Sequence, residues 1–156
     1  MGGVNTDLSV QRMPDVDSLV KTMLESDDYP DDATPYVQAE IGLDTDAKAF
    51  LKPVVLYSCG APYQPNANVK AWIWRFTLTL TVLSVNPELA FRTAACINRN
   101  VSIWPYRPPV NADAKIGRVL ENAGFQRMAP GELTNSKTMH VFVSEKTLQA
   151  SVRFLH

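Results

Sequence analysis

Residues 72–82, "WIWRFTLTLTV", alternate without a fault, and then the chain turns abruptly into "SVNPELAFRTAAC". Trp72, Trp74, Phe76, Leu78, Leu80 and Val82 fall on one side of an extended chain. Ile73, Arg75, Thr77, Thr79 and Thr81 fall on the other. Side chains of a strand point to opposite faces in turn, so this pattern predicts a strand with one face in a core and one hydroxyl-rich face outside it. Its length, roughly 40 Å at the usual rise, is unusual for a strand. The join predicts a helix start. Asn86 suits the N-cap, Pro87 the first helical position, and Glu88 the positive end of the helix dipole. The helix is expected to run to about Val101, with Ala90, Ala94, Ile97 and Val101 as its inward stripe and Ala95 beside it.

The rest of the chain fits around this unit. "PDVDSLVKTMLES" places Val16, Leu19, Val20, Met23 and Leu24 at helical spacing, with Pro14 and the acids Asp15 and Asp17 at its start. Residues 27–35, "DDYPDDATP", break that helix. Their four aspartates lack the alternating ligands, central Gly and closing Glu of a calcium loop, so they read as a solvated acidic loop. Strands are expected in "YVQAEIGL" and "LKPVVLYS", the second held to a start or an edge by Pro53. The Pro- and Asn-rich segment at 59–69 reads as a projecting loop, and "WPYRPP" as a second loop that pins Trp104 and Tyr106 to the body. Residues 116–128 are ambiguous, because Gly117 and Gly124 weaken a helix, and a strand is preferred for the second half. Residues 129–138 read as a loop. From Met139 the chain reads as a closing strand with Leu148, Ala150, Val152 and Phe154 inward, placed inside the sheet.

These elements predict an α+β fold: one domain over residues 14–156, with a mixed sheet of about four to five strands and two main helices packed on one face. Residues 1–13 are expected to be a flexible arm. A length of 156 residues suits one core. No run of about 18 apolar residues occurs, so no membrane span is expected.

Charge is unevenly placed. Residues 1–46 carry 11 acidic and 2 basic side chains, a balance of −9, and residues 47–156 carry 5 acidic and 13 basic, a balance of +8. The acidic part either packs over the basic part within one molecule or meets the basic part of a neighbouring copy. The bases are dispersed, which argues against a nucleic-acid patch.

No catalytic signature is present. GxSxG, P-loop and GxGxxG motifs are missing, and Cys59 and Cys96 show no metal-ligand spacing. A Cys59–His140 pair has nothing around it that marks a nucleophile. The expectation is therefore no enzyme, no cofactor and no metal.

Taken in order, the N-terminal helix, the acidic loop before "PYVQAEIG", the unit "WRFTLTLTVLSVNPELAFRTAACINRNV" and the closing "KTLQASVRFL" resemble the tail terminator proteins of long non-contractile-tailed phages and the related tail-completion proteins of the neck. That resemblance implies a structural virion protein of the tail and neck, assembled in the host cytoplasm. It implies a ring of six copies that caps the head-proximal end of the tail tube, ends its polymerisation, and joins it to the head–tail connector. Genome DNA would pass through the lumen without sequence-specific binding, and no membrane would be involved. The partners implied are other copies of the chain, the tail tube protein and the connector protein. Alternatives are another neck or head-completion protein, or a small peptide-binding module. Tyr63, Trp104, Tyr106, Arg107, Arg92 and Arg99 are the residue types that anchor interfaces and are the candidates for such contacts.

Overall fold

A computed structural model describes residues 13–39, 52–64, 73–107, 114–134 and 137–152. The elements run α1 (Val16–Ser26), a short 3-10 turn (Asp31–Ala33), β1 (Tyr36–Ala39), β2 (Val54–Cys59), β3 (Ile73–Ser84) and α2 (Pro87–Ile103). A second 3-10 turn (Trp104–Tyr106), β4 (Ala114–Asn122), β5 (Gln126–Thr134) and β6 (Lys137–Val152) follow. The fold is α+β, with one mixed sheet of six strands rather than four to five. Strand order is β1-β2-β3-β6-β4, with β5 also on β6. The β1–β2 pair is parallel and all other pairs are antiparallel.

The strand and helix of the opening segment form as expected. In β3, Trp74, Phe76, Leu78, Leu80 and Val82 are buried, while Thr77, Thr79 and Thr81 are half-buried on the opposite face. Trp72 lies outside the described residues, as do Ile41 and Phe154. The Asn86 side chain accepts from the amides of Glu88 and Leu89, which closes the N-terminus of α2. Ala90, Ala94, Ile97 and Val101 are buried, whereas Ala95 is exposed. The N-cap of α1 is Asp15, which accepts from Ser18 N at 3.1 Å, so Pro14 sits just before the helix. Both helices pack their apolar stripes into a core shared with Val55, Tyr57, Phe76 and Leu148, on the same face of the sheet. A smaller cluster of Val54, Leu56, Leu83 and Met139 is buried on the other face.

The C-terminal third departs from expectation. β6 lies between β3 and the β4–β5 path, as its alternation required, and starts at Lys137. Strands β4 and β5 run end to end along the same side of β6, from the pair Ala114↔Val152 to the pair Thr134↔Lys137, with a break at residues 123–125. Residues 129–134 are therefore strand and not loop. Local propensity favours a turn at Gly and Pro, but a 16-residue partner strand supplies backbone hydrogen bonds that override it. Register shifts at Ile116/Arg118 and at Met128/Gly131 absorb the glycines as bulges.

Candidate functional site

The interface candidates from the sequence separate into two groups. Trp104 and Arg107 are used inside the chain. Trp104 is 1% exposed, and its indole N–H donates to Asp27 at 2.8 Å. Arg107 forms an ion pair with the same carboxylate and donates to Ser26 O and Ser26 Oγ. Asp27 is the C-cap of α1, so this clamp ties the end of α1 to the end of α2. Burial pushes the Asp27 carboxyl up to about 6, although Trp104 and Arg107 both favour its charged form. Arg92 makes a bidentate pair with Asp32, at 2.6 and 3.0 Å. Thr93 donates to Ala33 O, and Asn100 to Asp28 O, along the same seam. Part of the acidic segment is therefore neutralised by the chain's own basic part. Among the described residues, Arg92–Asp32 and Arg107–Asp27 are the ion pairs formed.

The second group faces outward. Tyr106 is 86% exposed, so the "WPYRPP" segment pins its Trp but not its Tyr. Arg99 is exposed on α2. Tyr63 is 46% exposed and tied by its backbone to Arg75 through two 2.8 Å bonds. The remainder of the 59–69 loop lies outside the described residues from 65 on.

The structure adds features that the candidate set missed. Phe91 is 60% exposed on α2 and stands edge-on to Phe142 with centroids 6.2 Å apart. Arg127 lies 5.3 Å over the Phe142 ring. A seam between α2 and the β4–β5 path carries two clefts. Phe91, Ala94, Ala95, Asn98, Phe125 and Phe142 wall one, of about 130 Å³. Ser102, Pro105, Tyr106, Gly117, Arg118 and Val119 wall the other, of about 300 Å³. From Phe91 to Tyr106 is roughly 22 Å along the helix. The floor of the seam is a polar hub. Lys146, fully buried, donates to Asn98 Oδ1 at 2.8 Å, Asn122 Oδ1 at 2.5 Å and Ala123 O at 2.9 Å. Its three N–H donors thus meet three acceptors, and the Phe125 ring lies 5.3 Å from Nζ. Ser144 also donates to Ala123 O, at 2.6 Å. Burial lowers the Lys146 amine to about 8. Its sequence signal was parity: it shares the inward register of Leu148 and Ala150.

At the opposite end of the sheet, α1 packs over β1 and β2. A third cleft, of about 470 Å³, lies there, with Glu25, Asp28, Tyr29, Pro35, Tyr36 and Val37 in its wall. Glu25 and Asp28 of its wall are exposed, and Asp27 of the clamp also belongs to the wall, which sets the cleft beside the Trp104–Arg107 turn.

The sheet keeps Cys59 and His140 apart. Cys59 pairs with Leu78 and His140 with Ser84, six residues apart on β3, or roughly 20 Å. Burial raises the Cys59 thiol well above its ordinary value, which disfavours the thiolate. Among the described residues no group of three His, Cys, Asp or Glu side chains is placed to hold a metal. No helix among them is long and apolar enough to cross a membrane.

No protein-family model matches the chain, and no curated protein does. One solved structure, which carries no functional name, aligns over 90% of this chain and 92% of its own at 12% identity, with a TM-score of 0.37. A likeness of that size carries no argument about function.

Proposed function

We propose that this chain is a structural subunit of a phage tail. In this reading its copies form a ring, six-membered by the resemblance, that caps the head-proximal end of the tail tube and joins it to the head connector. The observation that supports the reading best is the two-sidedness of the sheet. Helices α1 and α2 cover one face. On the other, Thr77, Thr79 and Thr81 of β3 lie beside Thr147, Gln149 and Ser151 of β6, all half-exposed. With β4 included, that face carries Arg75, Lys115 and Arg118 against Glu121 and Glu145, so its charges nearly balance. A wall past which DNA slides needs such a surface, wettable and without the large excess of basic residues that would hold phosphates. With this face inward and the helices outward, consecutive subunits would form a smooth channel.

The mechanism is capping by shape. One rim of the ring binds the last ring of the tube, and the other offers the tube protein no place to add. Electron microscopy of the purified protein over a wide concentration range, alone and with tail tubes, tests this. Six-fold rings, or caps at one tube end, are expected. Rings that bind a portal and ignore tubes would replace the reading with another neck or head-completion protein. A monomer at every concentration that leaves tubes bare would overturn it and favour the peptide-binding module.

A further inference from the structure

We infer that the face of the sheet opposite the helices carries a binding row for the phosphates of duplex DNA, formed where Arg75 of β3 and Arg118 of β4 flank Gln149 of β6. This rests on the ring reading for where the DNA lies, and it names the level of the channel at which the chain touches it.

Register builds the row. Gln149 pairs with Arg75 on one side and with Arg118 on the other. Tyr63 pairs with Arg75 from the far side of β3, through two 2.8 Å backbone bonds. Residues directly opposite on antiparallel strands share a face, so Tyr63, Arg75, Gln149 and Arg118 stand in line across four segments. Arg118 is there because of a bulge. Ala114 and Ile116 point into the core, and an unbroken strand would send Arg118 after them. The register shift between Ile116 and Arg118 re-aims it to the Gln149 face instead. The two arginine backbones are two strand spacings apart, roughly 10 Å, with Gln149 between them. Lys115 lies opposite Ser151, on the next row of the same face.

Charge and unmet hydrogen bonding point to an anion. Along β3, β4 and β6 the near balance of charge hides a sorting. Arg75, Arg118 and Lys115 hold the rows of Gln149 and Ser151, while Glu121 lies opposite Thr147 and Glu145 opposite Thr79. None of the three cations forms an ion pair among the described residues. The Nε of Arg75 is buried without a hydrogen-bond partner. An unmade buried donor is costly, and an oxyanion that takes the Nε–H and Nη–H edge of the guanidinium together would remove the cost. Tyr63, Gln149 and Ser151 add neutral donors of the kind that hold phosphate oxygens without reading sequence. Three cations on three neighbouring strands suit a run of phosphates better than a single carboxylate. In a ring the row recurs once per copy at one height, as a collar beside rows that carry Glu121 and Glu145. DNA would be held at the collar and pass the rest of the wall freely.

Fluorescence anisotropy of a short labelled duplex of mixed sequence, titrated with the protein over a salt series, tests the row. Wild type should bind, with an affinity that falls as salt rises. Arg75→Gln with Arg118→Gln should bind about tenfold weaker at low salt and lower the slope of log affinity against log salt by about 2. Arg75→Lys with Arg118→Lys keeps the charge and should recover most of the binding. Arg118→Gln alone, at an exposed position, should lower the slope by about 1, which keeps the row testable whether or not Arg75→Gln folds. Arg99→Gln with Arg127→Gln removes two exposed arginines away from the row and should change affinity by less than about twofold. A wild type that leaves the duplex free at low salt, or an equal loss on changing Arg99 and Arg127, overturns the row. So does a row variant that binds DNA like wild type but no longer forms rings, since the row would then be a contact between copies. Rings that cap tubes and ignore DNA would leave the ring reading standing without the row. A monomer that binds DNA through the row and never caps a tube would do the reverse.

Discussion

Two buried ionisable groups hold this molecule at two different joints, and they are satisfied in opposite ways. Asp27, at the joint between α1 and α2, has an opposite charge beside it in Arg107 and an indole donor in Trp104. Lys146, at the break between β4 and β5, has only neutral oxygens and an aromatic ring. Both are pushed toward neutrality by burial, the acid up to about 6 and the amine down to about 8. A salt bridge and a neutral cage therefore serve the same structural purpose. What they share is a complete set of hydrogen bonds, since an unpaired buried polar group is the larger cost.

The comparison breaks most visibly when a partner is removed. Asp27→Ala leaves the buried Trp104 indole N–H and Arg107 without their acceptor and should cost about 3 kcal/mol in a denaturant titration. Near neutrality Lys146→Met should cost less, about 1 kcal/mol, because Asn98 and Asn122 are half-exposed and can turn their freed oxygens to water, while Ser144 still donates to Ala123 O. A cost for Lys146→Met above that of Asp27→Ala would mean that the cage, not the ion pair, is the stronger joint.

The pH dependence sharpens the same contrast, because the two groups act on opposite sides of neutrality. Lys146 has its folded pKa below the unfolded value, so the folded chain binds fewer protons between about 8 and 10.5. Its contribution to stability should rise with pH across that window, by about 2 kcal/mol, and the rise should vanish in Lys146→Met. Asp27 has its folded pKa above the unfolded value, so the folded chain binds more protons between 3.8 and about 6. Its contribution is fully present below 3.8 and is lost as pH rises through about 6, a change of about 1–2 kcal/mol. Melting curves on wild type, Asp27→Asn and Lys146→Met separate the two windows. The difference between wild type and Lys146→Met isolates this group from the raised Cys59 and Tyr29, which act the other way in both proteins, and a difference that falls between pH 8 and 10 would contradict the assignment to Lys146.

The smallest expected effect concerns neither joint. Gly60 leaves β2 with its amide donating to Thr77 O at 2.9 Å, and a Cβ there would lie 2.5 Å from Thr77 Oγ1. Gly60→Ala should cost about 1 kcal/mol, and most of that should disappear in a Thr77→Ala background. A cost that persists there would place the strain in the backbone instead.

The same contrast explains what the sequence revealed. β3 and α2 were legible because their signals are local: a two-residue alternation, an Asn-Pro-Glu start and a small-residue stripe within one turn of each other. The β4–β5 path was not, since its glycines and Pro130 speak for turns and only pairing with β6 makes them strand. The clamp was hidden for a similar reason. Trp104 and Arg107 were singled out as surface anchors on residue type, yet their partner Asp27 lies 77 and 80 positions earlier. Tyr106 was named beside them and does face outward. Lys146 could have been found, because a charge in the inward register of an otherwise apolar strand demands partners. Phe91 gave no sign, as nothing in a helix pattern says which aromatic is left uncovered.

The place of β6 in the sheet has a consequence for timing. It follows the other five strands in sequence, yet it lies between β3 and the β4–β5 path. The β5–β6 pairing is a local hairpin from Thr134↔Lys137, but Ile73 must find Ser151, and Ala114 must find Val152, before β3 and β4 are paired along their length. Until residue 152 has left the ribosome, β3 lacks part of its longer neighbour and β4, whose partners are residues 146–152, lacks part or all of its own among the described strands. Contacts so distant along the chain make folding slow, because a long loop must close before any pairing repays it. A subunit whose surfaces polymerise or cap would gain from this delay, since a nascent chain could not present them early.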